Sequence, residues 1–152
     1  MPGKRRTAGF TLLELIVVFA IAALLVALAP PAFERMQDAA RYRETVGHVF
    51  SDLRSARYIA QTEGREAVFE VNLRQKSYRL DGGPVRTVPD GLELRATVAA
   101  SEFDPDRGAG IRFLPGGGAT GGSIEIVRAS GAGVRVRVDW LSGRVSQESI
   151  VP

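Results

Sequence analysis

Phe10 to Ala29 (FTLLELIVVFAIAALLVALA) is an unbroken apolar run whose single charge is Glu14. Coiled as an α-helix, the run extends about 30 Å, the hydrocarbon thickness of a bilayer. Pro30-Pro31 follows, and Pro31 is expected to interrupt the helix because it removes a hydrogen bond and crowds the preceding turn. A helical pattern nonetheless resumes. Tyr42, Val46, Val49, Leu53, Ala56 and Ala60 recur at spacings of three and four, with Phe50 on the same side. Arg41, Arg43, Glu44, Asp52, Arg54 and Arg57 fall largely on the other faces. The spacing predicts one long helix, kinked near Pro30, that runs to about Thr62 and is ended by Gly64.

Past residue 64 the period changes from helical to two. Ala67, Phe69 and Val71 alternate with Val68, Glu70 and Asn72, and Tyr78 and Leu80 precede the turn Asp81-Gly82-Gly83-Pro84. Leu92, Leu94 and Ala96 alternate with Glu93, Arg95 and Thr97, and Ile124 and Ile126 flank Glu125. Val134, Val136, Val138 and Trp140 alternate with Arg135, Arg137 and Asp139. With Ile111–Phe113 and Arg144–Gln147 added, the pattern predicts about seven or eight short strands separated by glycine-rich turns. Val98 to Gly110 lacks periodicity and reads as a surface loop. The predicted class is α+β: a long N-terminal helix whose apolar stripe is covered by an antiparallel two-sheet β-domain.

Composition narrows the chemistry. The 152 residues suit one domain, and 45% hydrophobic with 24% charged residues is an ordinary globular balance. The absence of cysteine excludes disulfides, thiolate metal sites and cysteine nucleophiles, and a lone histidine, His48, excludes multi-histidine sites. The net charge of +3 resides in Lys4, Arg5 and Arg6, leaving basic and acidic residues in balance from Phe10 onward. Net charge therefore gives the body of the chain no pull toward nucleic acid.

The same basic triplet orients the apolar run with its N-terminus toward the cytoplasm. A secretory signal cut after Ala27-Leu28-Ala29 fits poorly, because Pro30 follows the scissile position and the run exceeds an ordinary signal core. A plain anchor leaves Glu14 unexplained. A carboxylate at the bilayer centre costs roughly 2.5–3.5 kcal/mol, less near the interface, and such residues usually mark function. Gly9-Phe10-Thr11-Leu12-Leu13-Glu14 behind a short basic leader resembles the processing motif of type IV pilins and type II secretion pseudopilins. The resemblance implies that a prepilin peptidase cuts between Gly9 and Phe10 and methylates Phe10. It also implies that Glu14 pairs with the N-terminal amine of an adjacent subunit. Two charges that are each costly in a low-dielectric bundle become tolerable as a pair.

Phe113-Leu114-Pro115-Gly116-Gly117-Gly118-Ala119-Thr120-Gly121-Gly122, then a strand, then Gly143-Arg144-Val145, is similar to the GspH/FimT family. The layout implied is a leader (1–9), a transmembrane and assembly helix (10–30), a soluble helical half (31–64) and a periplasmic β-domain (65–152). The implied function is that of a minor pseudopilin at or near the tip of a type II secretion pseudopilus. Its partners would be the prepilin peptidase, other minor and major pseudopilins, the inner-membrane secretion platform and the lipid bilayer. It would sit in the bacterial inner membrane with a single span, without cofactor, metal or enzymatic activity. The alternative is a FimT-like minor pilin that contacts DNA through Arg135, Arg137 and Arg144. Against that alternative, Ser146 stands where the DNA-binding members carry a second arginine.

Other motifs carry less. Gly116–Gly121 matches G-x-G-x-x-G, but a strand follows where dinucleotide binding needs a helix, and Gly122 stands where a P-loop needs lysine. Asp104-x-Asp106 lacks the rest of an EF-hand, leaving only a looser calcium site with Glu102 to consider. No nucleophile can be assigned to His48, and Arg135 and Arg137 read first as a solvated sheet face.

Overall fold

The computed structural model describes residues 10–105 and 108–152, with residues 27–35 described by secondary structure alone. The chain divides into two units, one ending at Asp38 and one running from Ala39 to Pro152. Gly9, the basic leader and Asp106 lie outside the described residues.

The first element, α1, spans Leu12–Glu63 without a break at Pro30-Pro31. The expected interruption is absent because proline's fixed φ is itself helical, and its cost is confined to a lost donor and local crowding. Thr11 starts the helix: its hydroxyl accepts the Glu14 N–H at 3.2 Å and its carbonyl accepts the Leu15 N–H at 3.2 Å. Gly64, at φ +65°, ends it in the left-handed conformation that glycine adopts without penalty. Among the described residues no helix is long and apolar enough to cross a membrane; the described side chains of the apolar run stop at Val26.

In the second unit, α1 buries the expected stripe: Tyr42, Val46, Val49, Leu53, Ala56 and Ala60. Nine strands follow: β1 Ala67–Asn72, β2 Ser77–Leu80, β3 Arg86–Thr87, β4 Leu92–Val98, β5 Phe103–Asp104, β6 Gly108–Phe113, β7 Gly122–Arg128, β8 Gly133–Val138 and β9 Val145–Ile150. They form a five-stranded sheet in the order β3-β2-β1-β6-β5 and a four-stranded sheet in the order β4-β7-β8-β9. All pairings are antiparallel, as the alternation requires. Leu53 and Val49 of the helix share one core with Phe69, Ile111 and Phe113 of the first sheet and Ile124, Ile126 and Val136 of the second.

Two further expectations need correction. The stretch read as a loop from Val98 to Gly110 instead holds a 3₁₀ turn (Ala100–Glu102), the short β5 and the start of β6. Its strand residues Gly108 and Gly110 carry no side chain, so no alternation marks them. Glycine is required at 108, where φ is +106° and a Cβ would fall 2.1 Å from the Val71 carbonyl oxygen. The alternation on β8 was expected to run through Trp140, but the strand ends at Val138 and Trp140 stands 67% exposed.

Candidate assembly site

The N-terminal unit presents chemistry of two kinds. Phe10 is 79% exposed, and the large apolar side chains from Leu12 to Val26 are exposed with it. An uncovered apolar face of this extent marks a surface that something else buries. Within it, Glu14 occupies the first turn of α1, where the helix dipole favours a negative charge. Among the described residues its carboxylate has no cationic partner. Thr11 was not singled out from the sequence, although Thr-x-x-Glu ahead of an apolar run is a readable helix-start signal.

The second unit carries the arginines. On the face of the four-stranded sheet turned away from the core, strand register aligns Arg95, Glu125, Arg135 and Glu148 in one row. Charge alternates from strand to strand along that row, an arrangement that stabilises cross-strand neighbours. Arg135 donates to Glu125 at 2.8 Å and lies 3.8 Å from Glu148. Arg137, 66% exposed, lies 3.9 Å from the same Glu148 carboxylate. Arg95 grips Glu93 with two hydrogen bonds at 2.8 and 2.9 Å. The two sheet-face arginines are therefore brought together, but beside carboxylates. Arg144 sits apart, on the β8–β9 corner, and has no carboxylate partner among the described residues.

The remaining candidates resolve into structural roles. Glu102 accepts two hydrogen bonds from Arg112, at 3.0 and 3.2 Å, and Arg112 also reaches Glu66 at 2.9 Å. This links β6 to the 3₁₀ turn and to the start of β1, and it commits the carboxylate that a calcium site would use. His48 Nδ1 lies 3.3 Å from Arg86, and its Nε2 lies 3.5 Å from Glu44. Gly116–Gly121 forms the turn between β6 and β7, and Gly122 opens a strand, not a helix.

Comparison with known proteins places these features in a family. Residues 4–30 match the prokaryotic N-terminal methylation motif, and residues 45–143 match the type II transport protein GspH family. The chain is 33% identical over 143 residues to type II secretion system protein H of Xanthomonas campestris pv. campestris, covering 93% of this chain and 83% of that one. The fold resembles the minor pseudopilin EpsH from the type 2 secretion system of Vibrio cholerae, with a TM-score of 0.57 at 14% identity over 72% of this chain and 97% of that one. It also resembles the type IV minor pilin FimU of Pseudomonas aeruginosa, with a TM-score of 0.56 at 12% identity over 74% of this chain and 92% of that one. A methylation-type N-terminus ahead of a β-domain matched over most of its length is sufficient for assignment: the chain belongs to the GspH family of type II transport proteins.

Proposed function

We propose that the chain is a minor pseudopilin, a structural subunit at or near the tip of the type II secretion pseudopilus, where it supports protein export across the outer membrane. The observation that carries this reading is the pairing of an N-terminal methylation motif with a GspH domain on one chain. The exposed apolar face from Phe10 to Val26 supports it, because a filament subunit gains by burying such a face among sister helices. In this reading a prepilin peptidase removes residues 1–9 between Gly9 and Phe10 and methylates Phe10. The segment 10–30 holds the subunit in the inner membrane with its N-terminus cytoplasmic and the β-domain periplasmic, and the secretion platform drives its entry into the filament. Glu14 sets the register by pairing with a neighbour's terminal amine, and no step is catalytic.

The test is processing and assembly. Gly9→Leu should retain the leader, read by N-terminal sequencing, and should not assemble. Glu14→Val should be cleaved normally yet enter filaments poorly. Normal cleavage of the first, or wild-type incorporation of the second, would refute the assigned residue. A second reading, a minor pilin that takes up DNA, draws on the fold likeness to FimU and on Arg144, which has no carboxylate partner among the described residues. It requires duplex binding that weakens steeply with salt.

A further inference from the structure

The β8–β9 corner is locked onto the helix and onto the glycine turn between β6 and β7. Arg57 of α1 passes beneath Gly143, whose added Cβ would meet Arg57 Nε at 3.5 Å and the Gly117 carbonyl oxygen at 2.6 Å. One turn further along α1, Gln61 reaches to 3.1 Å from the Cβ position of Gly117. The Ala119 N–H donates to the Trp140 carbonyl at 2.9 Å, tying the glycine turn to the tip of the corner.

This well-fixed region leaves cations unmatched. Arg57 Nε is buried without a hydrogen-bond partner, and neither Arg57 nor Arg144 meets a carboxylate among the described residues. Other arginines of the domain meet a carboxylate, as Arg65 does Asp81, Arg112 Glu102 and Arg135 Glu125, or lie over a ring, as Arg54 does Phe50 and Arg128 Tyr42. The corner's own carboxylate, Asp139, is taken by Ser142, whose N–H and hydroxyl donate to it at 2.8 and 2.7 Å. Beside these cations Trp140 and Leu141 project 67% and 70% exposed, with Leu114 partly exposed on the neighbouring turn. Arg57 Nε is covered by the protein's own turns, so the cation that an arriving carboxylate can reach is the exposed Arg144. Tryptophan and arginine are also the side chains that dominate binding energy at protein interfaces.

We infer that this corner, Arg144 beside Trp140 and Leu141, docks a segment of a neighbouring subunit that carries a carboxylate next to an apolar side chain. The inference rests on reading the chain as an assembly subunit. Charge complementarity selects a carboxylate, and the exposed tryptophan and leucine select an apolar neighbour for it. A phosphate backbone is the poorer fit. Tracking it requires a row of uncompensated cations, whereas Arg135 and Arg137 of the sheet face lie beside Glu125 and Glu148.

The test uses the full chain in its own bacterium with the secretion apparatus intact. A photo-crosslinking amino acid replaces Trp140, and a control chain carries it at Arg95 on the open sheet face. The expected result is a Trp140-specific adduct with another pseudopilin, mapped to a segment containing aspartate or glutamate. Arg144→Glu should cut that adduct about ten-fold, a change of 1.4 kcal/mol, and arginine in place of the mapped carboxylate should restore it. Because Arg144 is exposed, this variant disturbs no packing of the domain. An adduct no stronger than at position 95, one indifferent to Arg144→Glu, or one with DNA overturns the inference. If the leader is cleaved and export depends on the gene while any of these negatives holds, the corner is refuted and the pseudopilin reading stands. If export is indifferent to the gene, the broader reading has failed.

Discussion

Gly143→Ala isolates how tightly the assembly domain depends on one corner. Gly143 has φ +62°, a conformation that costs an L-residue about 1–2 kcal/mol. The new Cβ would stand 2.6 Å from the Gly117 carbonyl oxygen, a backbone atom held in its own turn, so one of the two turns must shift. Overpacking of this kind costs typically about 1–3 kcal/mol. Gly82→Ala supplies the control. Its φ is +72°, but its Cβ meets nothing within 4 Å, so it bears the conformational cost alone. The sum for Gly143→Ala is about 2–5 kcal/mol against about 1–2 for Gly82→Ala. At about 4 °C per kcal/mol for a unit the size of Ala39–Pro152, the melting temperature should fall by roughly 8–20 °C and 4–8 °C respectively. The assay is thermal unfolding of the detergent-solubilised chain followed by circular dichroism. Equal shifts in the two variants would refute the claim that the corner and the glycine turn are sterically locked.

Two predictions concern pH. The Arg65 guanidinium, 2.6 Å from Asp81, holds that carboxyl below the ordinary aspartate range. A depressed folded-state pKa contributes stability above the unfolded value, about 3.9, and loses it as pH falls through the lower folded value. Asp81→Asn should therefore melt below the native chain at neutral pH, and the two melting curves should converge below about pH 4; a gap that persists in acid would contradict the pairing. Burial pushes the Tyr78 phenol up to about 12. Since an unfolded tyrosine ionises near 10, stability should decline from about pH 10 upward, and phenolate absorbance should reveal one tyrosine titrating well above that value.

Much of this architecture is legible in side-chain periodicity, for a physical reason. A buried face must repeat with the period of its element, so Val46, Val49 and Leu53 announce a helix as plainly as Ile124 and Ile126 announce a strand. What escaped is what periodicity cannot carry. The strands β3 and β5 are two residues each and exposed, too short to alternate. Gly108 and Gly110 contribute backbone pairing to β6 without any side chain to mark it. At Trp140 the alternation persisted beyond the strand, but Asp139 turns the chain through Ser142, and Gly143 closes the turn in a left-handed conformation.

The assembly residues divide along the same line. Glu14 is conspicuous because a charge within an apolar run is costly in any fold, and Gly9 and Phe10 stand in fixed spacing before it. Thr11 was available from Thr-x-x-Glu and needed only the capping rule. Arg57 was not available. On the sequence it is one of several helix arginines facing away from the stripe, and its lack of an acceptor depends on where Gly117 and Gly143 arrive in space.

The central claim, that this chain serves protein export, is tested most directly by the proteome of the culture supernatant with and without the gene. The account predicts that secreted enzymes disappear from the medium and accumulate in the periplasm when the gene is deleted, and that they return with the native chain but not with Gly9→Leu. An unchanged supernatant would contradict it and turn attention to a pilus and DNA uptake.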